Sequence, residues 1–198
     1  VPTPATYPID PNLRRLIEAA ALQAGLPTWP RAGVVYTPAE LLEAIVLTES
    51  SGNARARRYE PHQDRATRRD APQDPDTADR DDGELEDDAS YGLMQVMGYN
   101  VRALCGVPPG TPMRFGWLYL PITNIAFGLR ILLGELVAVR AEVATGKTTP
   151  GRDVDRALAR YNGGPTGDDL VGGAFRLQAY VDKVGRCAAL ARANRREE

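Results

Sequence analysis

The chain is poor in the residues that make metal and redox chemistry. Among 198 residues there are two cysteines and one histidine. Cys105 and Cys187 lie far apart with no metal-like spacing, so no zinc site is expected. Whether the two thiols pair is left open by the sequence, and with it the redox compartment. No uninterrupted apolar run approaches membrane-spanning length, so no membrane span is expected. The Pro-rich start, VPTPATYPID, lacks a basic-then-apolar leader pattern. A sustained set of strands is also missing. These absences leave a mainly helical protein that works without a cofactor.

What is present fits one sizeable core, with 43% hydrophobic and 25% charged residues. The net charge of -2 hides an asymmetry. Residues 60–90 hold 12 acidic and 4 basic residues, leaving 20 basic and 14 acidic elsewhere. The body is therefore mildly basic and carries an acidic insertion over 54–89. A mildly basic body suits an anionic polymer only weakly, and an ordinary solvated surface explains it equally well. An EF-hand register centred on Gly83 puts Ala78 and Arg80 where oxygen ligands are required, so no metal is expected there.

Periodicity and punctuation divide the chain further. Residues 1–11 read as an extended arm interrupted by Pro2, Pro4, Pro8 and Pro11. Residues 12–198 read as one domain. Helices are expected over Asn12–Gly25, Pro38–Ser51, Tyr91–Cys105, Asn124–Ala144, Asp153–Tyr161 and Ala174–Ala193. Residues 26–37 read as a Pro- and Gly-rich loop, and a short β-hairpin is expected near Tyr59. Thr37, Pro38 and Glu40 form a helix-start signature, with a cap, a first-turn proline and a capping-box acid.

The helix begun at Pro38 carries the most informative residue. Leu42, Ile45, Val46 and Glu49 recur at helical spacing, so Glu49 closes an apolar stripe. Burial there disfavours its charged form and suits a general acid. Taken alone, the position reads equally as a helix-end glutamate running out into solvent.

Four ordered segments change that balance. They are Glu49-Ser50-Ser51-Gly52-Asn53, Tyr91-Gly92-Leu93-Met94-Gln95, Asn124-Ile125 with Gly128, and Ala159-Arg160-Tyr161-Asn162-Gly163-Gly164-Pro165. Tyr180-Val181-Asp182-Lys183-Val184 is a fifth. This order resembles the soluble-type lytic transglycosylases and their goose-type lysozyme relatives, over roughly residues 38–185. The resemblance implies a lysozyme-like helical domain that cleaves the bond between N-acetylmuramic acid and N-acetylglucosamine in peptidoglycan. By the same resemblance, Glu49 matches the catalytic glutamate and Tyr161 the tyrosine that hydrogen-bonds and orients it. Met94 and Gln95 match residues lining the sugar cleft. Ser50, Ser90, Tyr91, Asn162 and Tyr180 complete the implied substrate-binding set, with Ser90 the nearest match to a serine that some members carry. Core packing for Met94 and a turn role for Asn162 are equally compatible with their positions.

The chain departs from the family pattern in its long acidic insertion and in Glu60, 11 positions after Glu49. Glu60 as general base would make the enzyme a hydrolytic muramidase or a chitinase-like glycosidase. Steadying a positive transition state, or pairing with Arg57 or Arg58, are its other readings. His62 reads as a surface residue. A wall-binding structural module of a phage particle or secretion machine is the alternative outside enzymology. The expected partner is the peptidoglycan glycan strand, met by a monomer at the cell wall, periplasmic, extracellular or phage-borne, with no nucleic acid involved.

Overall fold

The computed structural model describes residues 9–59, 88–108, 111, 113–148, 150–171 and 174–196. The chain divides into two compact units, Val1–Ser51 with Leu129–Glu198, and Gly52–Gly128. The described residues are mainly helical. Helices are α1 (Pro11–Gln23), α2 (Pro38–Ser50), α3 (Gly98–Cys105), α4 (Pro121–Ala144), α5 (Asp153–Gly163) and α6 (Gln178–Arg196). Short strands are β1 (Trp29–Arg31), β2 (Val34–Tyr36), β3 (Arg57–Tyr59), β4 (Ala89–Tyr91), β5 (Val96–Met97), β6 (Leu170–Val171) and β7 (Ala174–Phe175).

In the first unit, α1 starts where the arm was expected to end. The Asp10 carboxylate accepts from the Asn12 and Leu13 amides, and Pro11 opens the helix. A first-turn amide has no intrahelical partner, so proline costs nothing there. The expected loop over 26–37 contains the antiparallel pair β1–β2. Ala32 and Gly33 both have positive φ, the two-residue turn whose twist matches that of its strands. Helix α2 carries the full capping box. The Glu40 amide donates to Thr37 Oγ1 at 3.2 Å, and the Thr37 amide to Glu40 Oε2 at 2.7 Å. Arg192 of α6 also donates to both Glu40 oxygens and holds that carboxyl below its ordinary range.

Helix α2 packs against α1 and α6 and is buried all round, not along one stripe. Leu41, Leu42, Ala44, Ile45 and Val46 are wholly inaccessible, and so is Glu43. Desolvation pushes the Glu43 carboxyl up, opposed by Arg195 and Arg14. Arg195 Nη2 reaches Glu43 Oε2 at 2.6 Å and also pairs with Glu18 of α1, while Arg14 Nε lies 3.6 Å from Glu43 Oε1. This cluster ties α1, α2 and α6 together by charge inside the apolar core.

The second unit corrects the expected Tyr91–Cys105 helix. Strands β3, β4 and β5 form one antiparallel sheet, and only Gly98–Cys105 is helical. Gly92 at φ 71° and Gln95 at φ 47° turn the chain between β4 and β5, a conformation no helix contains. Near Tyr59, where a short hairpin was expected, β3 pairs with β4, a strand 30 positions on in sequence (Tyr59 with Ala89). Most of the 54–89 insertion, with Glu60 and His62, lies outside the described residues.

Helix α4 crosses the boundary between the units in sequence. Its 24 residues are long and apolar enough to cross a membrane by length and composition. Its Leu129, Leu132, Leu136 and Val139 are buried, the pattern of a core helix. Helix α6 begins later than the expected Ala174, because Ala174–Phe175 pairs with Leu170–Val171. Cys105 and Cys187 are free thiols.

The buried cluster is open to a direct check. Glu43→Ala removes the buried carboxylate that faces both Arg195 and Arg14, and should destabilise the protein by about 3–5 kcal/mol. The midpoint of denaturant unfolding reads this, and an unchanged midpoint would show that the cluster contributes nothing net.

Candidate active site

Glu49 lies in the last turn of α2, where the buried helix first becomes partly exposed. The helix stops abruptly behind it. Ser51 takes a left-handed conformation at φ 53°, and its amide closes on the Leu47 carbonyl. Glycine at position 52, with φ 81°, continues the turn. Ser50 directs its hydroxyl back to the Val46 carbonyl at 3.1 Å, so it serves the helix end. Helix α6 holds the same end from outside. Lys183 Nζ donates to the Thr48 carbonyl at 2.7 Å, one of the carbonyls a helix C-terminus leaves without an amide partner.

The Tyr180 hydroxyl donates to Glu49 Oε1 at 2.5 Å. That is the short range expected for a phenol on a carboxylate. Sequence matching had assigned Tyr180 to substrate and the orienting bond to Tyr161. The structure gives Tyr180 a direct bond to Glu49 as well. Tyr161 stands within electrostatic reach of Glu49, at the end of α5. Burial pushes both phenols well above their ordinary range, and the negative charge of Glu49 pushes them further in the same direction. Two neutral phenols and one carboxylate therefore share a site among α2, α5 and α6. Asn162 follows Tyr161 as an exposed residue at the helix end.

The residues expected to line a sugar cleft in the second unit are held by internal contacts. Met94 is fully buried, and a side chain on Gly128 would collide with its thioether. Met94 is therefore packed within the core of the second unit. Tyr91 is also buried, its ring against Phe115 and Tyr119. Gln95 accepts from Ser90 Oγ at 2.8 Å and donates to the Gly92 carbonyl at 2.9 Å. Ser90 is 1% exposed. Asn124 completes the frame, accepting from the Met94 amide and donating to the Tyr91 carbonyl, both at 2.7 Å. Gly92 lies so close to the Asn124 amide that any side chain there would displace it. The side chains of Ser90, Gln95 and Asn124 thus form one internal scaffold of the β4–β5 turn.

Sequence reasoning missed Glu43, the most deeply buried carboxylate of α2, because its arginine partners are remote in sequence. It also missed Asp168, whose partners Arg160 and Arg156 lie only 8 and 12 positions away, because the return of the chain onto α5 that joins them follows no helical or strand period. Among the described residues no cluster of His, Cys, Asp and Glu is arranged to hold a metal. No family model, curated protein or solved structure matches the chain.

The two raised phenols give a signed pH prediction. The folded protein keeps their protons above pH ~10, where the unfolded chain releases them. Stability is therefore complete below that pH and falls as pH rises, by about 1.4 kcal/mol per pH unit for each tyrosine. Tyr180→Phe removes one such proton, so its stability should fall less steeply than the parent's above pH ~10. Chemical denaturation at a series of alkaline pH values measures the difference, and parallel slopes would refute it.

Proposed function

We propose that the chain is a peptidoglycan lytic transglycosylase with a lysozyme-like helical domain. The observation that supports it most is the 2.5 Å hydrogen bond from Tyr180 to Glu49, made at the partly exposed last turn of a helix buried from Glu40 to Thr48. A carboxyl set there is fixed by its packing yet reachable from solvent. The ordered segments around Glu49, Gly92, Asn124 and Tyr161 add the family resemblance.

In this reading Glu49 begins protonated and gives its proton to the glycosidic oxygen. The bond to C1 of the muramic acid breaks, and positive charge develops at the ring. The sugar's own 6-hydroxyl then attacks C1, and the ionised Glu49 takes the hydroxyl proton. The product ends in a 1,6-anhydro sugar, no water is consumed, and Glu49 returns to its starting state. One carboxyl performs both steps because acid and base roles alternate. The Tyr180 phenol stabilises the carboxylate that exists between the two transfers, and it stays neutral throughout because its own ionisation is suppressed. Tyr161, neutral for the same reasons, borders the same carboxylate.

The mass of the products from purified peptidoglycan tests the chemistry. Anhydro ends, with no label from heavy-oxygen water, are expected. Labelled reducing ends would make the enzyme a hydrolase and direct attention to Glu60. Glu49→Gln should abolish cleavage while leaving wall binding intact, and a variant that lyses walls at the parent rate would remove Glu49 from its role.

A further inference from the structure

The segment between α5 and α6 doubles back onto the helix it has just left. It holds the 3-10 turn Gly164–Thr166 and the β6–β7 pair. Two glycines make this return possible. A side chain on Gly167 would strike the Ala159 carbonyl, and one on Gly163 would strike Leu177. Asp168 sits at the point of contact, its side chain 2% exposed. It receives two arginines of α5 on separate oxygens. Arg160 Nε donates to Oδ1 at 2.7 Å, and Arg156 Nε to Oδ2 at 2.7 Å. The other edge of the Arg160 guanidinium is taken by Glu142 of α4, at 3.0 and 2.7 Å. Two cations thus meet two anions, and the buried charge is neutralised locally.

The positions of these contacts relate them to Glu49. Arg160 immediately precedes Tyr161 in the last full turn of α5. On the other side of Asp168, the Gly167 carbonyl accepts from the Leu177 amide at 3.2 Å, and the Leu177 carbonyl accepts from the Tyr180 amide at 3.0 Å. The Asp169 carbonyl accepts from the Arg176 amide at 2.8 Å. One short run of backbone therefore joins the carboxylate that anchors α5 to the residue that donates to Glu49. We propose that Asp168 is a positioning residue that sets both phenols, Tyr161 through Arg160 and Tyr180 through the Gly167–Leu177 contact, around Glu49. The inference rests on the reading of Glu49 as the acid. Asp168 touches no reacting atom, and its effect passes through the two tyrosines.

Positioning predicts a loss in turnover and not in substrate affinity, because the misplaced phenols act on the carboxyl during reaction. With soluble glycan strands as substrate, Asp168→Asn should lower kcat on the order of tenfold or more and leave KM within about twofold. In a Tyr180→Phe background the same change should cost clearly less than it does in the parent, since part of its route is already gone. Losses that simply multiply would overturn the inference, and so would a parent-like kcat or a loss confined to KM. If Asp168→Asn does not fold, Arg156→Lys keeps the charge balance while giving up the planar contact. It should lower kcat severalfold at constant KM, and a parent-like rate there would overturn the inference equally. Glu49→Gln, run alongside, separates the two levels. An inactive Glu49→Gln with a fully active Asp168→Asn sinks the positioning role alone, whereas an active Glu49→Gln sinks the acid assignment and the positioning role together.

Discussion

Helix α2 has almost no solvent face before its last turn, and the first unit is arranged around that constraint. A helix enclosed on every side must satisfy its polar groups internally. Glu40 does so by serving at once as capping-box acid and as acceptor for Arg192. Glu43 does so through Arg195, with Arg14 nearby. Both arrangements draw α6 onto α2, since Arg192 and Arg195 lie one turn apart on that helix. Once α6 is seated, Tyr180 and Lys183 fall at the other end of α2, where Glu49 is.

The same logic of buried charge governs the segment after α5. Asp168 compensates Arg156 and Arg160, and Glu142 takes the remaining edge of Arg160. Such clusters gain little net free energy over apolar packing, but breaking one is expensive, so they penalise any other arrangement of the elements they join. In this protein they join the elements that bear Glu49, Tyr161 and Tyr180. In the second unit the turn between β4 and β5 is closed by neutral groups. Asn124, Gln95 and Ser90 close the β4–β5 turn with buried hydrogen bonds, and glycines at 92 and 128 let the backbone approach Asn124 and Met94.

Much of the helical framework was legible because its signals are local. Thr37, Pro38 and Glu40 announce α2, and Leu129 to Val139 announce α4 by periodicity. Where the reading failed, strand pairing replaced the expected helix or loop. Tyr91 to Cys105 contains a helix-compatible apolar pattern, yet pairing with Arg57–Tyr59 drew its start into a sheet. The loop over 26–37 gained strands because Ala32-Gly33 accepts two positive φ angles. Ala174-Phe175 left α6 to pair with Leu170-Val171. Met94, Gln95 and Ser90 were singled out by pattern, but a pattern does not distinguish a side chain that meets a ligand from one that holds a turn.

By itself the sequence determined the mainly helical class, the capped start of α2 and the place of Glu49 at its end, since each follows from contacts within a few residues. The burial of α2 on all sides, the enclosure of Glu43 and the bond from Tyr180 to Glu49 came from tertiary contacts. Those outcomes depend on side chains separated by 131 to 152 positions along the chain. Spacing within a helix says which face a residue shares, but not which remote helix will cover that face.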